Sequence, residues 1–201
     1  GFQMRSMYPS IAHLQSFLSE LTGRHQAVLP AFKEVRIDDP ITTRKVFTLH
    51  QTLTDASDPL EQESRFIETL AYLIKRYADI CSIEQTIGNE RDAVQKARGY
   101  IEENFAAQIS LNDLAQHAAL SPYHFLRVFQ AEVGMPPHAY LQDVRIRRAQ
   151  GLIALGEALT DVAFDVGFSS QSHLTRRFKQ IVGITPGQYA QQIQPTGGLK
   201  Q

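Results

Sequence analysis

Between positions 171 and 176 the chain carries Gln171, Ser172, Thr175 and Arg176, four side chains suited to a flat, hydrogen-bonding partner. Arg offers two parallel N–H donors that match the paired acceptors of guanine. Gln sets a donor beside an acceptor and can grip adenine in the same two-pronged way, and a Thr methyl can meet the methyl of thymine. Around them stand Ser170, His173, Arg177 and Lys179, whose hydroxyl, ring and cationic groups suit phosphate oxygens or the start of a helix. Chemistry of this kind recognises an edge and breaks no bond.

The same pattern occurs once before. Set 49 residues apart, Ser121 matches Ser170, His124 matches His173, Arg127 matches Arg176 and Phe129 matches Phe178. The register runs on through Val133/Val182, Gly134/Gly183, Pro137/Pro186 and Tyr140/Tyr189, and upstream it becomes 48, with Asp113/Asp161 and Ala115/Ala163. Once core positions are set aside, the first copy leaves Pro122, Tyr123, Leu126 and Arg127 pointing outward, with Ser121 and His124 at the start of its helix. Two copies are too few for a solenoid, so the duplication must act as a pair.

Each copy has the grammar of a helix-turn-helix. In the first, Ser110 caps a short helix with Asp113 at its third position, a capping box. A second helix opens with Ser121 as N-cap and Pro122 at the first helical position, and Gly134 ends it. In the second copy "LTDVAFDV" is the short helix, Gly167 supplies the turn, and "SSQSHLTRRFKQIV" runs to Gly183. Leu114, Ala115, Leu120, Phe125 and Phe129 face inward in copy one, as do Val162, Ala163, Phe168, Leu174 and Phe178 in copy two; Phe164 is read as core as well. Between the copies Pro137 to Leu155 reads as one helix. Its 19 residues span roughly 28 Å at about 1.5 Å per residue. Such a rod holds two reading helices about one turn of DNA, roughly 34 Å, apart.

The rest of the chain also reads as helical. "PSIAHLQSFLSELTG" places Ile11, Leu14, Phe17, Leu18 and Leu21 at helical spacing, with Gly23 as its stop. Residues 24–37 read as a connector or short extended piece. Asp39-Pro40 opens a second helix whose apolar side is Ile41, Val46, Leu49 and Leu53. A third follows the "SDP" break, with Phe66, Ile67, Leu70, Leu73, Ile74 and Tyr77 along it. Residues 81–89 read as the linker, ending in the turn pair Gly88-Asn89.

The totals narrow the function classes. At 43% hydrophobic and 20% charged residues the 201-residue chain is an ordinary globular protein. No apolar run approaches the roughly 18 residues of a membrane span, and no secretory signal pattern appears. The single cysteine, Cys81, excludes a disulfide framework and a multi-thiolate metal site, so the expected compartment is the cytoplasm, on the nucleoid. The histidines at 13, 25, 50, 117 and 138 show no zinc spacing, and neither metal nor cofactor is expected. Net charge is −1, which by itself argues against nucleic acid, yet it is unevenly spread. Residues 1–88 carry 9 Lys+Arg against 11 Asp+Glu, residues 89–201 carry 11 against 10, and cations cluster at Arg145, Arg147 and Arg148 and at Arg176, Arg177 and Lys179.

The second copy, "DVAFDVGFSSQSHLTRRFKQIVGITPGQY", resembles the signature of the AraC family of bacterial transcription regulators, and with copy one and the linker helix the resemblance covers about residues 90–192. It implies a mainly α fold, a seven-helix DNA-binding domain in which two helix-turn-helix subdomains share a long linker helix. It places base reading on Tyr123, Leu126 and Arg127 and on Gln171, Ser172, Thr175 and Arg176, within recognition helices at about 122–133 and 170–182. Leu126 departs from the family pattern by being apolar, Ala158 stands where copy one has the cap Ser110, and Ala119 where copy two has Gly167. Gly151 inside the linker helix costs about 1 kcal/mol relative to Ala.

Residues 1–80, with "IDDP" and "SDPLEQES", are similar to the helical end of the sensor half of such regulators, where a cupin-type β-barrel binds a small-molecule effector. On this reading the barrel lies outside a chain that begins at Gly1, the helix at about 60–79 forms a homodimer, RNA polymerase is a further partner, and 193–201 is a tail. Two other classes compete with duplex DNA reading. An enzyme of the DNA-repair methyltransferase type needs a cysteine cluster, and no paired carboxylates, triad or glycine-rich phosphate loop appears either. A helical protein–protein adaptor is separated from a DNA reader by footprinting.

Overall fold

The computed structural model describes residues 10–22, 32, 36–54, 58–78 and 90–193. The expected stop at Gly23, most of the 24–37 connector, the 81–89 linker and the tail beyond residue 193 lie outside the described residues. Ten helices occupy the rest: α1 (Ile11–Thr22), α2 (Pro40–Thr54), α3 (Pro59–Tyr77), α4 (Arg91–Glu103), α5 (Leu111–His117), α6 (Pro122–Val133), α7 (Pro137–Ala154), α8 (Leu159–Asp165), α9 (Gln171–Val182) and α10 (Pro186–Ile193).

Local chemistry sets many of the helix ends. Asp39 accepts from the Thr42 N–H at 3.0 Å at the start of α2, and Asp58 accepts from the Leu60 N–H at the start of α3. At α5 the Ser110 hydroxyl accepts from the Asp113 N–H while the Asp113 carboxylate accepts from the Ser110 N–H, both at 3.0 Å. Helices α6 and α9 stop at Gly134 and Gly183, each in the left-handed region. Ser121 occupies the N-cap position of α6 but its side chain makes no capping bond. Its hydroxyl is turned to Glu20 of α1 instead.

Three apolar clusters organise the molecule. One joins α4, α5, α6 and the first half of α7 through Ile101, Leu114, Phe125, Phe129 and Leu141, and Leu60 of α3 is part of it. A second joins the rest of α7 to α8 and α9 through Ile146, Ile153, Val162, Phe168, Leu174 and Phe178. Helix α7 therefore has one end in each core, and its 18 residues measure about 27 Å at 1.5 Å each. Phe164, expected in this core, is 58% exposed: it points away from the side of α8 that carries the buried Val162 and Ala163. The third cluster packs Phe17, Leu18 and Leu21 of α1 against Ala71 and Ile74 of α3 and includes Tyr123 of α6.

Helix α2 departs from the apolar side expected of it. Leu49 is buried, but Ile41 and Leu53 are exposed, and Thr42 and Thr52 are buried in their place. A polar cluster at its start accounts for this. The Asp39 carboxylate accepts from the hydroxyls of Thr42 at 2.6 Å and Tyr77 at 2.9 Å, which ties the start of α2 to the end of α3 through polar groups. These hydrogen bonds hold the Asp39 carboxyl well below the usual carboxylate range.

Candidate nucleic-acid interface

Helix α9, the second of the two helices expected to read bases, is open. Gln171, Ser172 and Arg176 are exposed along α9, with Thr175 partly so. Ser170 closes the helix start: its hydroxyl accepts from the His173 N–H at 3.2 Å. His173 itself is buried, edge-on to Phe168 with ring centroids 5.1 Å apart. Burial, and then the charges of Arg177 and Arg176, push its pKa down, so the ring packs as a neutral group. Lys179 is exposed, whereas Arg177 is half-buried and ion-paired with Glu61 of α3.

Helix α6, the first helix expected to read bases, is closed. Leu126 is 2% exposed and Tyr123 9%, so two of the three side chains expected to read bases in copy one are inside the molecule. Arg127 lies over the Tyr123 ring at 5.7 Å and Lys75 of α3 over the same ring at 6.0 Å. Pro122 and Ser121 are partly buried, and His124 contacts Glu90 through Nε2 at 3.1 Å.

The cation clusters of the sequence divide in the same way. Arg147 is exposed and paired with Asp143 one turn away at 3.0 Å, and Arg148 lies over the Phe105 ring at 5.2 Å. Arg145 is fully buried. Its guanidinium donates to the carbonyls of Phe105 at 2.7 Å and Ala107 at 2.9 Å and pairs with Asp58 at the start of α3. Burial pushes the Asp58 carboxyl up and the Arg145 guanidinium down, against the opposing pull of the pair itself. This cation belongs to the fold and is not on a DNA-facing surface. Among the described residues no group of three or more His, Cys, Asp or Glu side chains is placed to hold a metal ion, and no helix is long and apolar enough to cross a membrane.

Reading the sequence for cations and apolar stripes missed Glu20, Glu61 and Glu63, the acidic residues that α1 and α3 bring against this region. The one signal that pointed to them is the acidic excess of residues 1–88.

Residues 114–192, which hold both motifs apart from the start of α5, match the family model described as "Helix-turn-helix domain". The HTH-type transcriptional activator AarP of Providencia stuartii is 37% identical over 91 residues, 45% of this chain and 67% of that protein. The chain belongs to the AraC family of transcriptional regulators. It carries the family's DNA-binding domain. The HTH-type transcriptional regulator YbfI of Bacillus subtilis is 33% identical over 161 residues, 80% of this chain, so this similarity reaches beyond the helix-turn-helix region into the N-terminal helices. The chain spans 58% of the length of YbfI. In fold it is similar to the C-terminal domain of AraT, a response regulator of Geobacillus stearothermophilus, at a TM-score of 0.50 and 24% identity, covering 57% of this chain and 98% of that one.

Proposed function

We propose that this AraC-family chain reads two successive major grooves of one DNA duplex and regulates transcription through that binding, without catalysis. The observation that carries the reading is the row of Gln171, Ser172 and Arg176, exposed on α9 immediately after a helix-turn-helix turn. In this reading Arg176 pairs with guanine, Gln171 with adenine, and Ser172 and Thr175 complete the contact. Tyr123 and Arg127 supply the second contact when their face is free; Leu126, buried in the core that α4, α5 and α6 build, stays with the fold. Ser121, Pro122, His124, Ser170, His173 and Lys179 serve the phosphates or the helix starts, while Arg177 is taken up by Glu61.

Residues 90–192 form the DNA-binding unit in this proposal, and residues 1–80 are the helical end of a sensor half. A homodimer through α3, RNA polymerase contact, effector control and a place on the cytoplasmic nucleoid follow from family resemblance. Over Pro59–Tyr77 only Lys75 and Arg76 are exposed, so a second copy has to use half-buried positions such as Phe66, Leu70 and Leu73. Selection of bound duplexes from a random library tests the function. Recovery of a defined sequence protected in at least one major-groove patch supports it, and protection of no sequence at low salt returns the chain to the adaptor class.

A further inference from the structure

The two reading helices differ in what lies on them. Nothing on α9 buries Gln171, Ser172 or Arg176, but Tyr123 of α6 sits in the core of the N-terminal helices. It is the one buried residue of that cluster supplied by the helix-turn-helix region, and its ring meets Phe17 edge-on at 5.5 Å. Beside it, one carboxylate oxygen of Glu20 accepts from the Ser121 hydroxyl at 2.5 Å and from the His124 backbone N–H at 3.0 Å. A hydroxyl and a first-turn N–H converging on one anionic oxygen is the arrangement with which a helix start grips a DNA phosphate. Helix α3 adds two more carboxylates: Glu61 pairs with Arg177, and Glu63 accepts from the Leu111 N–H at 2.7 Å.

We infer that α1, held in place by α3, is an internal cover that stands in for DNA on the first reading helix, so that the resting chain reads one groove and reads two only after α1 lifts. This inference rests on the DNA-reading role proposed for α6 and adds how that role is controlled. Glu20 occupies the phosphate position and Phe17 closes over Tyr123, so phosphate charge and α1 compete for the same groups. The junction beneath the cover has the character of a reversible contact. A cleft of about 520 Å³ opens under α1, lined by Phe17, Glu20, Glu63, Ile67, Leu111 and Pro122. Permanent cores are close-packed and fill such space.

The test runs the random-duplex selection in parallel on the wild-type chain, Glu20→Gln and Phe17→Ala. The wild type should enrich one half-site, read by α9. Both variants should enrich two half-sites about one helical turn apart and bind the two-site duplex on the order of tenfold more tightly than the wild type. Affinity for a single-site duplex should stay unchanged. Glu20→Gln keeps the side chain's shape, and a hydrogen-exchange measurement on the wild type needs no variant: α1 amides should lose protection when the two-site duplex is added. Identical motifs and equal affinities for all three chains, or α1 still protected while both half-sites are footprinted, overturn the cover. If none of the three enriches any sequence and Arg176→Ala behaves like the wild type, DNA reading itself falls, and the cover falls with it.

Discussion

Arg176 and Arg145 are both arginines of the helix-turn-helix region, and burial gives them opposite roles. Arg176 is exposed on α9, and Arg176→Ala should cost about 1–3 kcal/mol at the selected site and relax base preference at one position. Lys179→Ala, at an exposed cation on the same helix, should instead weaken all sequences alike and flatten the salt dependence by about one unit. Titrations of both variants against matched and single-base-changed duplexes separate the two outcomes. Arg145 is 2% exposed and holds two backbone carbonyls together with the Asp58 carboxylate. Arg145→Ala leaves that carboxylate buried and unpaired, a loss of about 3–5 kcal/mol in stability by chemical denaturation. The shifts on the two partners, carboxyl up and guanidinium down, mean that burial outweighs the attraction. Replacing both partners by apolar residues should recover only part of the loss, because the α3 cap and the partners of the Phe105 and Ala107 carbonyls go with them.

At the scale of elements, the two copies solve one turn in different ways. Gly167 has φ +86°, and a Cβ built there meets the Ala106 carbonyl oxygen at 2.6 Å. Gly167→Ala therefore carries both a left-handed backbone and a collision with main chain that cannot swing aside, and should lose about 2 kcal/mol or more in thermal melts. Ala119 holds the corresponding place in copy one at φ 53°. Ala119→Gly should stabilise the chain by about 0.5–1 kcal/mol, the left-handed penalty less the added freedom of the unfolded chain. Much at this scale was legible in the sequence. Ser110 with Asp113, Asp39 before Pro40, Asp58 before Pro59 and the glycines at 134 and 183 act within a few residues of their own position, so local chemistry settles them. Phe164, Arg145 and Tyr123 were not legible. Which side of a short helix such as α8 is covered, and which helix covers α6, depends on contacts made across much of the chain.

For the whole molecule, the junction between α3, α7 and α9 sets a dependence on pH. His138 at the start of α7 is buried, which with the nearby charge of Arg65 lowers its pKa to about 4 from 6.5. In the unfolded chain the same ring takes up a proton as pH falls through about 6.5, while the folded ring does so only near 4, so acid favours unfolding across that window. Stability should fall by up to about 3 kcal/mol between pH 6.5 and 4 and level off below. His173, shifted the same way by burial, adds to the slope. Denaturation midpoints measured across this range on the wild type and His138→Gln check the assignment, the variant showing the shallower slope.

Leu60 is fully buried in the core that α4, α5 and α6 build, one residue from the proline that opens α3. For anyone wishing to graft this reader onto a different input module, a seam at residue 90 is a worse choice than one ahead of Asp58. A chimera joined at residue 90 leaves the core without its Leu60 peg and Arg145 without its counter-charge. One joined ahead of Asp58 carries both along, and with them the shape of the socket that any new input module has to accept.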